Sequence, residues 1–192
     1  MKIAHIFAGF SGAVGAAATI GWLTSTPILY KPFPGAVPMA FPTAFMFVFS
    51  ALIIFILTAA QMHERRYPFV AAGSFMLLFS CASTLSWYIR GHKTLPINDI
   101  EVPPAIATLV CFTLMAMAGL LMDNHKATRI IGGVIAFAGL FGIVGYSINQ
   151  PWMYWEFNPY TVGMALMTSI AFASLGLGLY YVPQEEEELH HE

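Results

Sequence analysis

A chain of 192 residues that is 58% hydrophobic and 9% charged, with a mean hydropathy of +0.70, lies far from the soluble average of about 25% charged residues. It reads as an integral membrane protein. A formal charge of −2, carried with only 8 Lys and Arg, also excludes the basic surface that nucleic acid requires.

Six stretches are apolar enough to cross a hydrocarbon core of roughly 30 Å, which takes about 20 helical residues. They lie near 4–23, 38–60, 68–89, 103–122, 129–148 and 161–182. Backbone groups in lipid must be satisfied within their own segment, and none of the stretches alternates like a barrel strand, so helices are expected. The first follows Met1-Lys2, is too long for a cleaved signal and ends at Trp22. The second opens with VPMAFPTAFMF from Val37, and a compact His63-Glu64-Arg65-Arg66 turn leads to the third, which ends at Trp87. The fourth opens with VPPAIATLVCF from Val102. Past Asp123-Asn124-His125, the fifth runs to Tyr146; the loop NQPWMYWEFNPYT then leads into the sixth, which opens with VGMALMTSIAF from Val162. Cys81 and Cys111 fall inside helices and are expected as buried thiols.

The even stretches align without gaps. Val37/Val102/Val162, Ala40/Ala105/Ala165, Thr43/Thr108/Thr168 and Phe47/Phe112/Phe172 are identical in all three. The odd stretches each place an aromatic residue, Trp22, Trp87 or Tyr146, 15 or 16 residues before the repeated Val. Small residues precede each aromatic by one, four and seven positions: Gly21, Ala18 and Gly15; Ser86, Ser83 and Ser80; Gly145, Gly142 and Gly139. The expected fold is thus an all-α membrane protein of six transmembrane helices built as three repeated helical hairpins, about 4–62, 67–123 and 128–182. Residues 1–183 form the membrane domain and 184–192 an acidic cytoplasmic tail. Pro38 and Pro103 suit the first turn of a helix, where a missing N–H costs nothing. Ala, Thr and Phe at these spacings share one helix face. In lipid such faces associate by close packing of small residues, with the Gly139, Gly142 and Gly145 stripe as a counter-surface. The Thr hydroxyls are expected to bond a carbonyl one turn back.

Lys2, Arg65, Arg66, Lys126 and Arg129 lie on one side of the expected spans, and Lys31, Arg90 and Lys93 on the other. That excess puts both termini in the cytoplasm. The middles of the spans carry no ionisable residue and the histidines lie at ends, turns or tail. No metal or haem ligand set and no catalytic constellation is expected, hence no cofactor and no enzyme. The loop with Trp152, Tyr154, Trp155, Glu156 and Tyr160 reads either as an interfacial aromatic belt or as the mouth of an apolar or cationic ligand site, with Trp22, Trp87 and Tyr146 at the same level.

MALMTSIAFASLGLGL at Met164 to Leu179 and MAFPTAFMFVFSALII at Met39 to Ile54 resemble the multi-pass membrane regions at the N-terminus of many bacterial sensor histidine kinases and diguanylate cyclases. The resemblance implies a sensory input module in the bacterial cytoplasmic membrane, with VPQEEEELHHE beginning a cytoplasmic helix and a signalling partner supplying the output. PYTVGM at Pro159 to Met164 is similar to the MHYT sensor family but lacks its histidine, so that family's metal is not carried over. The expected function is a non-catalytic sensory or partner-binding module for an apolar or membrane-derived ligand, whose partners are the bilayer and another membrane or cytoplasmic protein. The alternatives are an accessory subunit of a respiratory, photosynthetic or oxygenase complex and, third, a passive channel or carrier.

Overall fold

The computed structural model describes residues 3–33, 36–58, 66–89, 104–154, 156 and 163–189. It is all-helical, with no strand among the described residues. Six α-helices follow one another: α1 (Ile3–Leu23), α2 (Phe41–Thr58), α3 (Arg66–Ile89), α4 (Ile106–Leu120), α5 (His125–Ser147) and α6 (Leu166–Leu189). Four of them, α1, α2, α3 and α5, are long and apolar enough to span a membrane; α4 and the apolar part of α6 are shorter.

The even helices start three residues or more after the positions expected from the sequence, 38, 103 and 161. α2, α4 and α6 each begin one residue after the repeated Ala, and the Ala40, Ala105 and Ala165 carbonyls accept the first backbone bonds, at 3.0, 3.3 and 2.9 Å. Pro38 therefore precedes the first turn instead of lying in it, and Pro103 lies outside the described residues. The delay at α2 has a cause in the tertiary structure. Met39 N–H donates to the Tyr30 carbonyl at 2.8 Å, and the Met39 carbonyl accepts Trp22 Nε1–H at 2.8 Å. Both backbone groups of Met39 are thus committed outside the helix. Thr43 could have donated to that same carbonyl; its buried hydroxyl instead has no partner.

The other ends are equally specific. Asn124 caps α5 by accepting from Ala127 N–H at 3.0 Å. α1 and α5 finish in the same way, with Ser25 (φ 53°) and Asn149 (φ 55°) left-handed and Thr26 and Gln150 N–H donating back to the Gly21 and Gly145 carbonyls, both at 2.8 Å. This is a Schellman closure, followed in each case by a proline that cannot continue the helix. A 3-10 turn comes next, Pro27–Leu29 in one and Pro151–Tyr154 in the other.

Helix packing is organised about an axis. α2, α4 and α6 form the inner layer, with α1 against α2 and α6, α3 against α2 and α4, and α5 against α4 and α6. On the axis the fully buried rings of Phe47, Phe112 and Phe172 touch one another pairwise, with centroids 4.9, 4.7 and 4.8 Å apart and ring planes inclined at 57–63°. Tilted geometry of this kind suits the ring quadrupoles. Thr43, Thr108 and Thr168, one turn earlier, and Ala40, Ala105 and Ala165, two turns earlier, are buried as well.

Close approach of backbones draws α5 onto α6. A Cβ on Gly139 would lie 2.3 Å from Ala173 N and 2.5 Å from the Ser169 carbonyl oxygen, and one on Gly142 2.4 Å from Ser169 Oγ. The outer surface of the bundle is largely apolar. Phe75, Phe79 and Ile89 of α3, Val110 of α4 and Ile130 and Phe137 of α5 are exposed, whereas α6 exposes no large apolar side chain among its described residues.

Candidate functional site

Two aromatic staples link helix ends to the strand-like segments that precede the even helices. In the first, Trp22 stacks on Tyr30 with centroids 4.3 Å apart at 14° and donates to the Met39 carbonyl. In the second, Tyr146 stacks on Tyr154 with centroids 4.3 Å apart at 17°, and its hydroxyl donates to the Met164 carbonyl at 3.0 Å. Met164 N–H closes the second staple on the Tyr154 carbonyl at 2.7 Å, just as Met39 N–H closes the first. Gly21 and Gly145 make the fold-back possible, because a Cβ on either would lie 2.6 Å from the Cβ of Leu29 or Met153. The sequence carries this device openly, as Gly, Trp or Tyr, four residues, Pro, two residues, Tyr, at Gly21–Tyr30 and Gly145–Tyr154.

The candidate ligand residues are thereby divided. Trp22 is buried, and Tyr146 is half-buried with its hydroxyl committed. Tyr154 is half-buried over Gly163. Its phenol is held above the ordinary tyrosine range, first by burial and then by the negative charge of Glu156. Trp152 is exposed and meets the edge of Phe141 at 5.7 Å. Trp155, Tyr160 and the side chain of Trp87 lie outside the described residues. The loop therefore joins two half-used rings and one carboxylate, and a cation at Glu156 is the chemistry they could serve. No cluster of three His, Cys, Asp or Glu suited to a metal occurs among the described residues.

A second feature was not legible as a site in the sequence. An apolar groove of ≈470 Å³ runs between α3 and α4, bounded by Leu78 and Leu85 on one helix and Ile106 and Leu114 on the other. The buried stripe of α3 explains it. Ser80 and Ser86 are only half-buried and Ser83 is exposed; the buried positions are Val70, Ser74, Leu77 and Cys81. These match Ala4, Ala8, Ser11 and Gly15 of α1 and Thr128, Gly132, Ile135 and Gly139 of α5. The register of α3 is thus one residue away from the alignment made on Trp87.

At the matched positions, a Cβ on Gly15 would lie 2.6 Å from the Ala44 carbonyl oxygen, and one on Gly139 2.5 Å from that of Ser169. α3 has Cys81 there, with Sγ 3.7 Å from the equivalent carbonyl, that of Leu109, and 4.0 Å from Met46 Sδ. α3 thus carries a side chain at a site where the other two pairs have glycine, and that residue, Cys81, lines the groove.

Both polar side chains on the groove wall face inward. Thr113 donates to the Leu109 carbonyl at 2.8 Å, the same oxygen that Cys81 approaches. The groove accordingly offers hydrocarbon to whatever enters it. No family model matches this chain, and no curated protein and no solved structure shows significant similarity to it.

Proposed function

We propose that all six helices cross the bilayer as three hairpins with both termini in the cytoplasm, and that the protein is a non-catalytic sensory and partner-binding module for a membrane-derived apolar ligand in a bacterial cytoplasmic membrane. The observation that carries this reading is the course of α6. Packed by α1, α2 and α5 and bearing one ring of the axial trio, it continues as one helix from Leu166 to Leu189, through Glu185–Glu188. At 1.5 Å per residue its 24 residues extend about 36 Å, more than the roughly 30 Å hydrocarbon core.

A helix that is central in the membrane and acidic beyond it can carry a displacement to a cytoplasmic protein. Pro183 marks the exit, since it lacks the N–H that would bond the Leu179 carbonyl. The axial phenyl trio supports a module rather than a conduit, because it fills the space that an axial channel would need open. Purification from native membranes with identification of bound chains tests the proposal. A co-purifying kinase or cyclase chain is expected. A cofactor-bearing membrane complex, or no cytoplasmic partner at all, would overturn it.

A further inference from the structure

We propose that the α3–α4 groove holds one acyl chain of a phospholipid from the leaflet adjoining the Pro27–Leu29 and Pro151–Tyr154 turns; the assignment of that chain as the protein's ligand rests on the sensory reading above. The groove opens sideways into the region of lipid, for its rim residues Leu85, Ile106 and Val110 are 43%, 52% and 53% exposed. It runs along the helices rather than across them. From Leu78 to Leu85 and from Ile106 to Leu114 it covers eight and nine residues, whose end-to-end rise is about 10–12 Å at 1.5 Å per residue. That length falls within one leaflet, about half of a 30 Å core.

Its position fixes which leaflet. α4 starts at Ile106, so the groove begins at the loop end of the bundle and closes near mid-depth. A headgroup would then sit outside the groove, at the start of α4, and a hydrocarbon tail inside. The deep end suits a tail and not a quinone ring, since the Thr113 hydroxyl and Cys81 thiol are both directed at the Leu109 carbonyl and neither is offered to a ligand carbonyl. Its volume of ≈470 Å³ belongs to the range of about 300–1,000 Å³ typical of ligand sites.

Selection in a bilayer has to come from fit. Lipid tails are as apolar as the side chains, so burial itself provides no driving force. A concave wall surrounds a chain with more contact atoms than the convex ridge of Ile130, Val134 and Phe137 on α5 can supply. Cys81 is the residue on which the concavity depends.

The test reconstitutes the full chain in phosphatidylethanolamine–phosphatidylglycerol vesicles with a trace of phosphatidylcholine bearing a mid-chain diazirine, then maps the photolabel. Labelling of residues 78–85 and 106–114 is expected to exceed that of 130–144 about five-fold, which corresponds to ~1 kcal/mol of packing preference. Cys81→Gly, which lets α3 close on α4, and Ala82→Phe, which fills the groove, are each expected to bring that labelling down to the α5 level and leave the α5 label unchanged. Even labelling of α3, α4 and α5, or labelling that neither variant alters, would overturn the site. If Cys81→Gly abolishes the label yet partner output is unaffected, the site stands and the sensory reading fails.

Discussion

The closeness of α5 and α6 can be tested with one methyl group placed at either of two glycines on the same helix. At Gly133 a Cβ would meet only Tyr180 Cδ2, at 3.9 Å; at Gly139 it would meet Ala173 N at 2.3 Å, Ser169 O at 2.5 Å and Ala173 Cα at 2.9 Å. Ordinary contact starts at 3.4 Å, so Gly139→Ala forces the two backbones apart by about an ångström. A gap of that size forfeits roughly a quarter to a half of each dispersion contact along the seam. Alanine is the better helix former by about 1 kcal/mol at both positions. That gain cancels in the comparison, and the difference between the variants isolates the packing cost, about 1–3 kcal/mol or more. Gly133→Ala is therefore expected to be neutral or stabilising and Gly139→Ala destabilising, as read by reversible unfolding in mixed micelles followed by circular dichroism. If the two variants agree within about 0.5 kcal/mol, the small residues of α5 do not act by permitting backbone contact.

Two further outcomes follow from the staples. Trp22→Phe and Tyr146→Phe keep the stacked ring but strand the buried Met39 and Met164 carbonyls; each is expected to lower stability by about 1–3 kcal/mol, and unchanged unfolding midpoints in both would refute the staple. Glu156→Gln is expected to lower the ionisation midpoint of Tyr154, whose phenol is raised by burial and then by that carboxylate. Because the folded state holds this proton above the ordinary tyrosine value, its contribution is complete below about pH 10 and is lost as pH rises through the folded midpoint. A phenolate absorbance difference between the parent and Glu156→Gln proteins, abolished in a Tyr154→Phe background, checks this; a midpoint that stays put or rises refutes it.

The repeated Ala, Thr and Phe were legible because they are identical in three aligned stretches and lie on one helix face, and the structure buries all nine. Their helix-start signal was legible too, but Pro38 suggested a start three residues early. Nothing local in VPMAF reveals that Trp22, 17 positions upstream, takes the Met39 carbonyl. The register of α3 was obscured for a related reason. Trp87 and Tyr88 are adjacent aromatics, and serines at 80, 83 and 86 look like a small-residue stripe, while the stripe that packs is one residue over and contains Leu77 and Cys81. The groove depends on that shift and so was invisible. The staple was visible in principle, because Gly21–Tyr30 and Gly145–Tyr154 share Gly, Pro and Tyr and an aromatic second position at fixed spacing, but the abundance of aromatics in the later loop hides the one tyrosine that matches Tyr30.

The axial phenyl trio also bears on how such a sequence can change over generations. Each ring is the packing environment of the other two, so replacing one leaves two misfits on two different helices, and no single second substitution repairs both. A solvent-facing loop residue has no such entanglement and can be exchanged alone. Phe47, Phe112 and Phe172 are identical in three stretches that otherwise differ at most positions, and a change at any one of them would be felt on both neighbouring helices.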